Sequence, residues 1–268
     1  MSLSQTDRED LIYAKRLLEH PGLAVTLVNL VGVPLEKGLQ YLPAEWFATV
    51  QKISKKALGT ALNVAVSTLN RKPRTQSADM LHKAAAATSG CVGGFFGLPA
   101  LAVELPVSTT IMLRSIADIA RSEGEDLERI ETRLGCLEVF ALGSSRSKED
   151  DSAETGYYAV RTALSGAVSE AAAYIAEKGI AETGAPVIVR LIARISSYFG
   201  IAVSEKIGAS AVPVIGAAGS AAINMIFINH FQNMARGHFI VRRLERRYSI
   251  LAVKAEYDGL SKDLKLLQ

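Results

Sequence analysis

The sequence predicts an all-α fold, and three observations carry that prediction. Apolar residues recur at three- and four-residue intervals, as in Phe47, Val50, Ser54, Leu58, Leu62 and Ala65, which is the spacing of one helix face. No pair of alternating Val/Ile/Thr runs is joined by a hairpin turn, so strand signals are scarce. Finally, two long stretches carry almost no charge. Between Lys83 and Arg114 the only ionisable side chains are Cys91 and Glu104, and between Lys206 and Arg236 there is only His230. Each stretch is Gly- and Pro-rich early and then runs into Thr or Asn, Met and aliphatics before an arginine. The pairing suggests a weak internal repeat, two copies of one helical unit.

The helices follow in order from their periodicity and their breaks. Leu11, Ala14 and Leu18 mark a first helix near 5–19, which stops at His20, Pro21 and Gly22. A second runs near 22–40 to the break at Pro43, and a third near 44–70 to the break at Pro73. After the first apolar unit come helices near 126–142, 152–179 and 185–203. The polar linker from Gly143 to Ser152 separates the first two of these, with Asp150, Asp151 and Ser152 as N-cap candidates. Thr183 to Pro186 separates the second pair. The second apolar unit then leads into a helix near 216–248, and a short helix near 253–265 closes the chain. Residues 1–75 read as an N-terminal helical segment and 76–268 as the helical core, together one continuous domain.

Length limits what the apolar units can be. Gly93, Gly94, Gly97 and Pro99 in the first, and Pro213, Gly216 and Gly219 in the second, are expected to interrupt a helix. That leaves legs of roughly 12 to 16 residues, about 18 to 24 Å, against a hydrocarbon core of roughly 30 Å. The expectation is a hairpin with both ends on one side of a membrane, either packed in a protein core or dipping into one leaflet.

Composition excludes several classes. A net charge of +3 and a pI near 8.8 do not demand nucleic acid, and the basic runs at Lys52 to Lys56, at Arg71 to Arg74 and after Arg236 lack interleaved aromatics. With 49% hydrophobic residues and a mean hydropathy of +0.20, a sizeable core is assured. Cys91 and Cys136 make no spaced metal pair, and the charged, amphipathic N-terminus has no apolar signal region. No nucleophile elbow, P-loop or HExxH occurs, so no catalytic residue, metal ligand or cofactor is expected. His230 and His238 lie on one helix, about 12 Å apart along it, and His238 projects with Phe227, Phe231, Met234 and Val241 as a core histidine.

Charges on apolar faces are more informative. Arg161 lies within a stripe of Tyr157, Val160, Leu164, Val168, Ala171 and Ile175; Glu138 lies in the stripe of Leu134, Leu137 and Ala141; Glu104 sits inside the first apolar unit. A buried charge needs a partner. Arg161 is therefore expected to pair with Glu138 first and Glu104 second, with Tyr157 completing a buried polar site. It serves either as a register-fixing ion pair or as the floor of a cavity. Arg236, Arg242, Arg243, Arg246 and Arg247 follow the second apolar unit. They fit both favourable placement near a helix C-terminus and contact with anionic lipid headgroups.

From Leu137 to Tyr257 the motifs LEVFALG, GYYAVRTAL, VSEKIGASAVPVIGAAGSAAIN, HFQNMARGHF and RRLERRY occur in order, and FGLPALAVELPVSTTIMLRSIADIA precedes them. This wording resembles the EcsC family, bacterial proteins whose namesake is encoded beside an ABC transporter. The resemblance implies an all-helical protein with membrane association and no assigned reaction. Together these readings anticipate a non-enzymatic, membrane-associated or lipid-binding protein, cytoplasmic and peripheral or shallowly inserted at the inner membrane. Its expected partners are an anionic membrane surface or a membrane protein such as an ABC transporter. A hydrolase with a dispersed site and a soluble helical scaffold stand as alternatives.

Overall fold

The computed structural model describes residues 3–19, 22–69, 97–143, 156–179, 184–212 and 216–265. Among them are ten helices and no strand: α1 (Gln5–Glu19), α2 (Leu23–Val31), α3 (Leu35–Leu39), α4 (Trp46–Thr68), α5 (Gly97–Ser122), α6 (Ile130–Leu142), α7 (Gly156–Lys178), α8 (Pro186–Ser210), α9 (Gly216–Tyr248) and α10 (Ile250–Lys265). The fold is all-α, as the periodicity predicts. The Gly-rich start of the first apolar unit and the acidic N-cap candidates at 150–152 lie outside the described residues.

Two long helices organise the rest. α8 packs against α2, α3, α4, α6, α7 and α9, while α9 packs against α1, α2, α5, α6, α8 and α10. Where they meet, Phe140, Phe199, Phe227 and Phe231 form a ring cluster with centroids 5.1–6.2 Å apart, largely edge-on or tilted. One buried apolar cluster runs from Leu23 in α2 to Phe239 in α9 and includes side chains of α4 through α8. A second joins α1, α7, α9 and α10 around Tyr257.

Three boundaries differ from the sequence reading. The segment near 22–40 is two helices, because Gly32 takes a left-handed φ of 72° and donates its N–H to the Val28 carbonyl, and Pro34 follows. α8 continues past residue 203 to Ser210, because Lys206 finds Glu104 and need not leave the core. The first apolar leg is also longer than expected, since α5 has 26 residues, whereas α9 has the 33 residues of the helix expected near 216–248. Pro99 falls in the first turn of α5, where its missing N–H costs no helical hydrogen bond, and α5 continues through Pro106. Gly216 and Gly219 begin α9 rather than break it.

Polar contacts fix the directions of the helices. Gln232 of α9 reaches Ser115 of α5 and Arg243 reaches Glu123, so these helices run the same way. Gln51 of α4 lies against Gly200, and Leu62 and Asn63 lie beside Ile188 and Ile192, so α4 and α8 run oppositely. The C-terminal end of α8, the start of α9 and the start of α5 therefore gather at one pole. α3 joins them there through a backbone approach in which a Cβ at Gly38 would run into the Gly208 carbonyl oxygen. α8 alone among the described residues is long and apolar enough to cross a membrane, but half of its most apolar window is buried against its neighbours. It is the core helix of the fold.

Candidate functional site

The structure divides the residues singled out by sequence into two groups. Glu104 stands apart: its carboxylate accepts a 2.8 Å hydrogen bond from Lys206, whose ammonium also lies 5.2 Å from the Phe227 ring centre. Glu138, Tyr157 and Arg161 do come together, in a polar cluster between α6, α7 and α9.

Arg161 pairs with neither expected carboxylate. Its guanidinium donates to both oxygens of Glu245, at 2.7 and 3.0 Å, in a bidentate pair with the arginine side chain 18% exposed and the glutamate 6%. The misassignment has a geometric cause. Glu245 lies 84 residues away on α9, at a register fixed only by tertiary packing. Tyr158 also donates to Glu245, and the Arg161 guanidinium lies over the rings of Tyr157 and Tyr158 at 5.3 and 5.6 Å.

A second strand of the network runs from Arg161 to the Tyr157 hydroxyl at 3.2 Å and on to His238 Nδ1 at 3.0 Å. The hydroxyl accepts from Arg161 and shares a second hydrogen bond with Nδ1 whose direction is set by the imidazole tautomer, while Nε2 is buried without a partner. Burial, reinforced by Arg161 and Arg242, holds the His238 pKa well below the usual imidazole range. The core placement expected for His238 is correct, since it is fully buried.

Glu138 is 6% exposed, and burial raises its pKa to about 7 although Arg161 and Arg242 pull it down. Cys136, two residues earlier on α6, is pushed up to about 12 by burial and so stays a thiol. The Arg161–Glu245 pair and the Tyr157 and Tyr158 hydroxyls are held by one another, an arrangement that orders helices. Among the described residues, no group of three His, Cys, Asp or Glu is placed to hold a metal ion.

Four arginines of the cluster are paired with carboxylates, Arg242 partly buried and Arg246 and Arg247 exposed. Arg242 donates to both oxygens of Glu125 at 2.8 and 3.0 Å, crossing α6 where Gly135 leaves room. Arg246 also reaches Glu125 and donates to the Glu123 carbonyl. Arg243 bridges Glu123 of the α5–α6 turn, at 2.7 Å, and Asp10 of α1, at 2.5 Å, while Arg247 pairs with Asp7 at 3.2 Å. Burial would raise the Glu125 pKa, but Arg242 and Arg246 hold it below the usual carboxylate range. Four arginines thus face four carboxylates. Arg236, exposed and bonded to the Asn233 side chain, lies outside this set. Arg243 is 16 residues, about 24 Å along α9, from Phe227 at the opposite pole.

Exposed apolar side chains occur at both ends: Ile250 and Leu251 follow the arginines, and a larger set lies at the opposite pole. Leu30, Tyr41, Phe47, Val103, Val107 and Met225 are all exposed, Val103 by 73% and Tyr41 by 67%. They come from α2, the α3–α4 connection and the starts of α4, α5 and α9. Sequence periodicity could not supply this grouping, which depends on which helix ends share a pole.

The sequence profile of the EcsC protein family matches residues 34–244, so the chain belongs to that family. No curated protein and no solved structure matches it.

Two outcomes test this account of the cluster. Arg161→Met strands Glu245 in the interior and is expected to cost about 3–5 kcal/mol in urea unfolding, whereas Arg161→Met combined with Glu245→Met costs less than the single change. For Glu138, the raised pKa means that the folded state binds more protons than the unfolded state between about pH 4.5 and 7. Its contribution to stability therefore falls as pH rises through that window. Glu138→Gln removes the titration, so its melting temperature should match wild type near pH 4.5 and exceed it above pH 7. That difference corresponds to on the order of 2–3 kcal/mol.

Proposed function

We propose that this EcsC-family protein is a non-enzymatic, membrane-associated protein that rests by its apolar pole on the cytoplasmic face of the bacterial inner membrane. The observation that supports the reading is the pole itself. Both charge-free units deliver helix ends to it, and their outward side chains, Val103, Val107 and Met225, are apolar and exposed beside Tyr41 and Phe47. The inner faces of the same helices are core, through Leu105, Phe227 and Phe231. One pair of helices thus builds the interior on one side and an apolar surface on the other. Large exposed apolar patches of this kind mark interaction surfaces. Attachment is by shallow insertion of side chains, with α8 retained in the core.

The arginines of α9 play a structural part in this reading. They tie α1 and the α5–α6 turn to α9 at the far end of the molecule. Sedimentation with vesicles tests the arrangement. Wild-type protein is expected to bind and to remain bound in a high-salt wash, because buried apolar area is not screened. Val103→Asp with Met225→Asp should weaken binding at least about tenfold. Equal binding by that variant would contradict the proposed face.

A further inference from the structure

Three lysines with no carboxylate to meet share one helix, α4. Lys52, Lys55 and Lys56 are exposed, and among the described residues no salt bridge reaches any of them. Lys55 and Lys56 stand on the rim of a cleft of about 320 Å³ between α4 and α8, together with the polar side chains of Thr60 and Asn63. The floor is apolar: Leu62, Ile188 and Ile192 are 1%, 2% and 5% exposed. The Thr60 hydroxyl donates to the Lys56 carbonyl, so the donors offered at the rim are the two ammonium groups and the Asn63 amide.

We infer that this cleft is a headgroup site for an anionic phospholipid of the bilayer on which the apolar pole rests. Two ammonium groups beside the Asn63 amide recognise a phosphodiester, whose glycerol and acyl carbons run toward Phe47 and the leaflet. The volume is at the small end for ligand pockets and is too small for two acyl chains, so the chains stay in the leaflet. Distance along α4 agrees. Phe47 belongs to the apolar pole, and Lys55 and Lys56 follow it by eight and nine residues, about 12 to 13.5 Å. Side chains that enter the acyl boundary by about 5–10 Å place these lysines at the level of the phosphates.

The inference rests on the proposed membrane reading and specifies its lipid. It is tested with a substitution that changes no charge. Gly59 lines the cleft, and a Cβ there meets no atom within 4 Å, so Gly59→Leu fills the cleft without disturbing the core. Gly166→Leu, at an equally open position on α7, is the control. Binding is measured by flotation with phosphatidylcholine vesicles, with and without phosphatidylglycerol, after circular dichroism has verified folding.

Wild type and Gly166→Leu should prefer the anionic vesicles. Gly59→Leu should lose that preference while binding neutral vesicles unchanged. Lys55→Gln with Lys56→Gln should lose roughly fivefold per lysine on anionic vesicles alone. If Gly59→Leu keeps the full preference, the lysines act only as a diffuse charged strip and the cleft is no site. Saturable binding of free glycerol phosphate by wild type, with no vesicle preference, would overturn the bilayer source. Failure of wild type to bind any vesicle would instead overturn the membrane reading itself.

Discussion

Charge that leaves water must be met by charge of opposite sign, and the arrangement of helices around α9 follows from that requirement. Arg161 and Glu245 bind each other through two short hydrogen bonds in a nearly enclosed setting, which fixes α7 on α9 in one register. One turn earlier on α9, Arg242 requires Glu125, and this sets where the chain turns between α5 and α6. Arg243 and Arg247 then hold α1 through Asp10 and Asp7. Lys206 and Glu104 do the same for α8 and α5 at the other pole. Moving any of these helices by a turn would strand charges that burial makes expensive.

Because the charges are used up in this way, the two ends of the molecule differ. At one end ion pairs tie α1, α9 and the α5–α6 turn together, and formal charge is largely cancelled. At the other end Val103, Val107 and Met225 of the charge-free units face outward beside Tyr41 and Phe47. The arginines and the apolar surface therefore do not act on one target together. The α4 lysines are among the cations left for an external partner, five to nine residues along the helix from Phe47.

Local information made most of the helices legible. The stripes around Leu58 on α4 and Leu164 on α7 repeat at helical spacing, and both are buried. The same stripes marked Arg161 and Glu138 as charges on inward faces, and they are enclosed. Their partners were not legible, because pairing Arg161 with Glu245 depends on how two helices 84 residues apart in sequence are phased. Arg242 was grouped with the other arginines that follow the second apolar unit, whereas Gly135 on a different helix opens the space it occupies. The cleft beside Lys55 was invisible for the same reason, since its floor comes from Ile188 and Ile192 on α8.

The sequence contains one tryptophan, Trp46, which opens α4 at the apolar pole and packs edge-on against Phe47 at 5.6 Å. Its fluorescence reports on that pole alone. With vesicles whose acyl chains are brominated near the headgroup, the account predicts a blue-shifted emission that is strongly quenched, and weaker quenching when the bromines lie deep in the chain. Vesicle-bound protein whose Trp46 emission neither shifts nor quenches would contradict it, because the membrane contact would then lie elsewhere on the molecule.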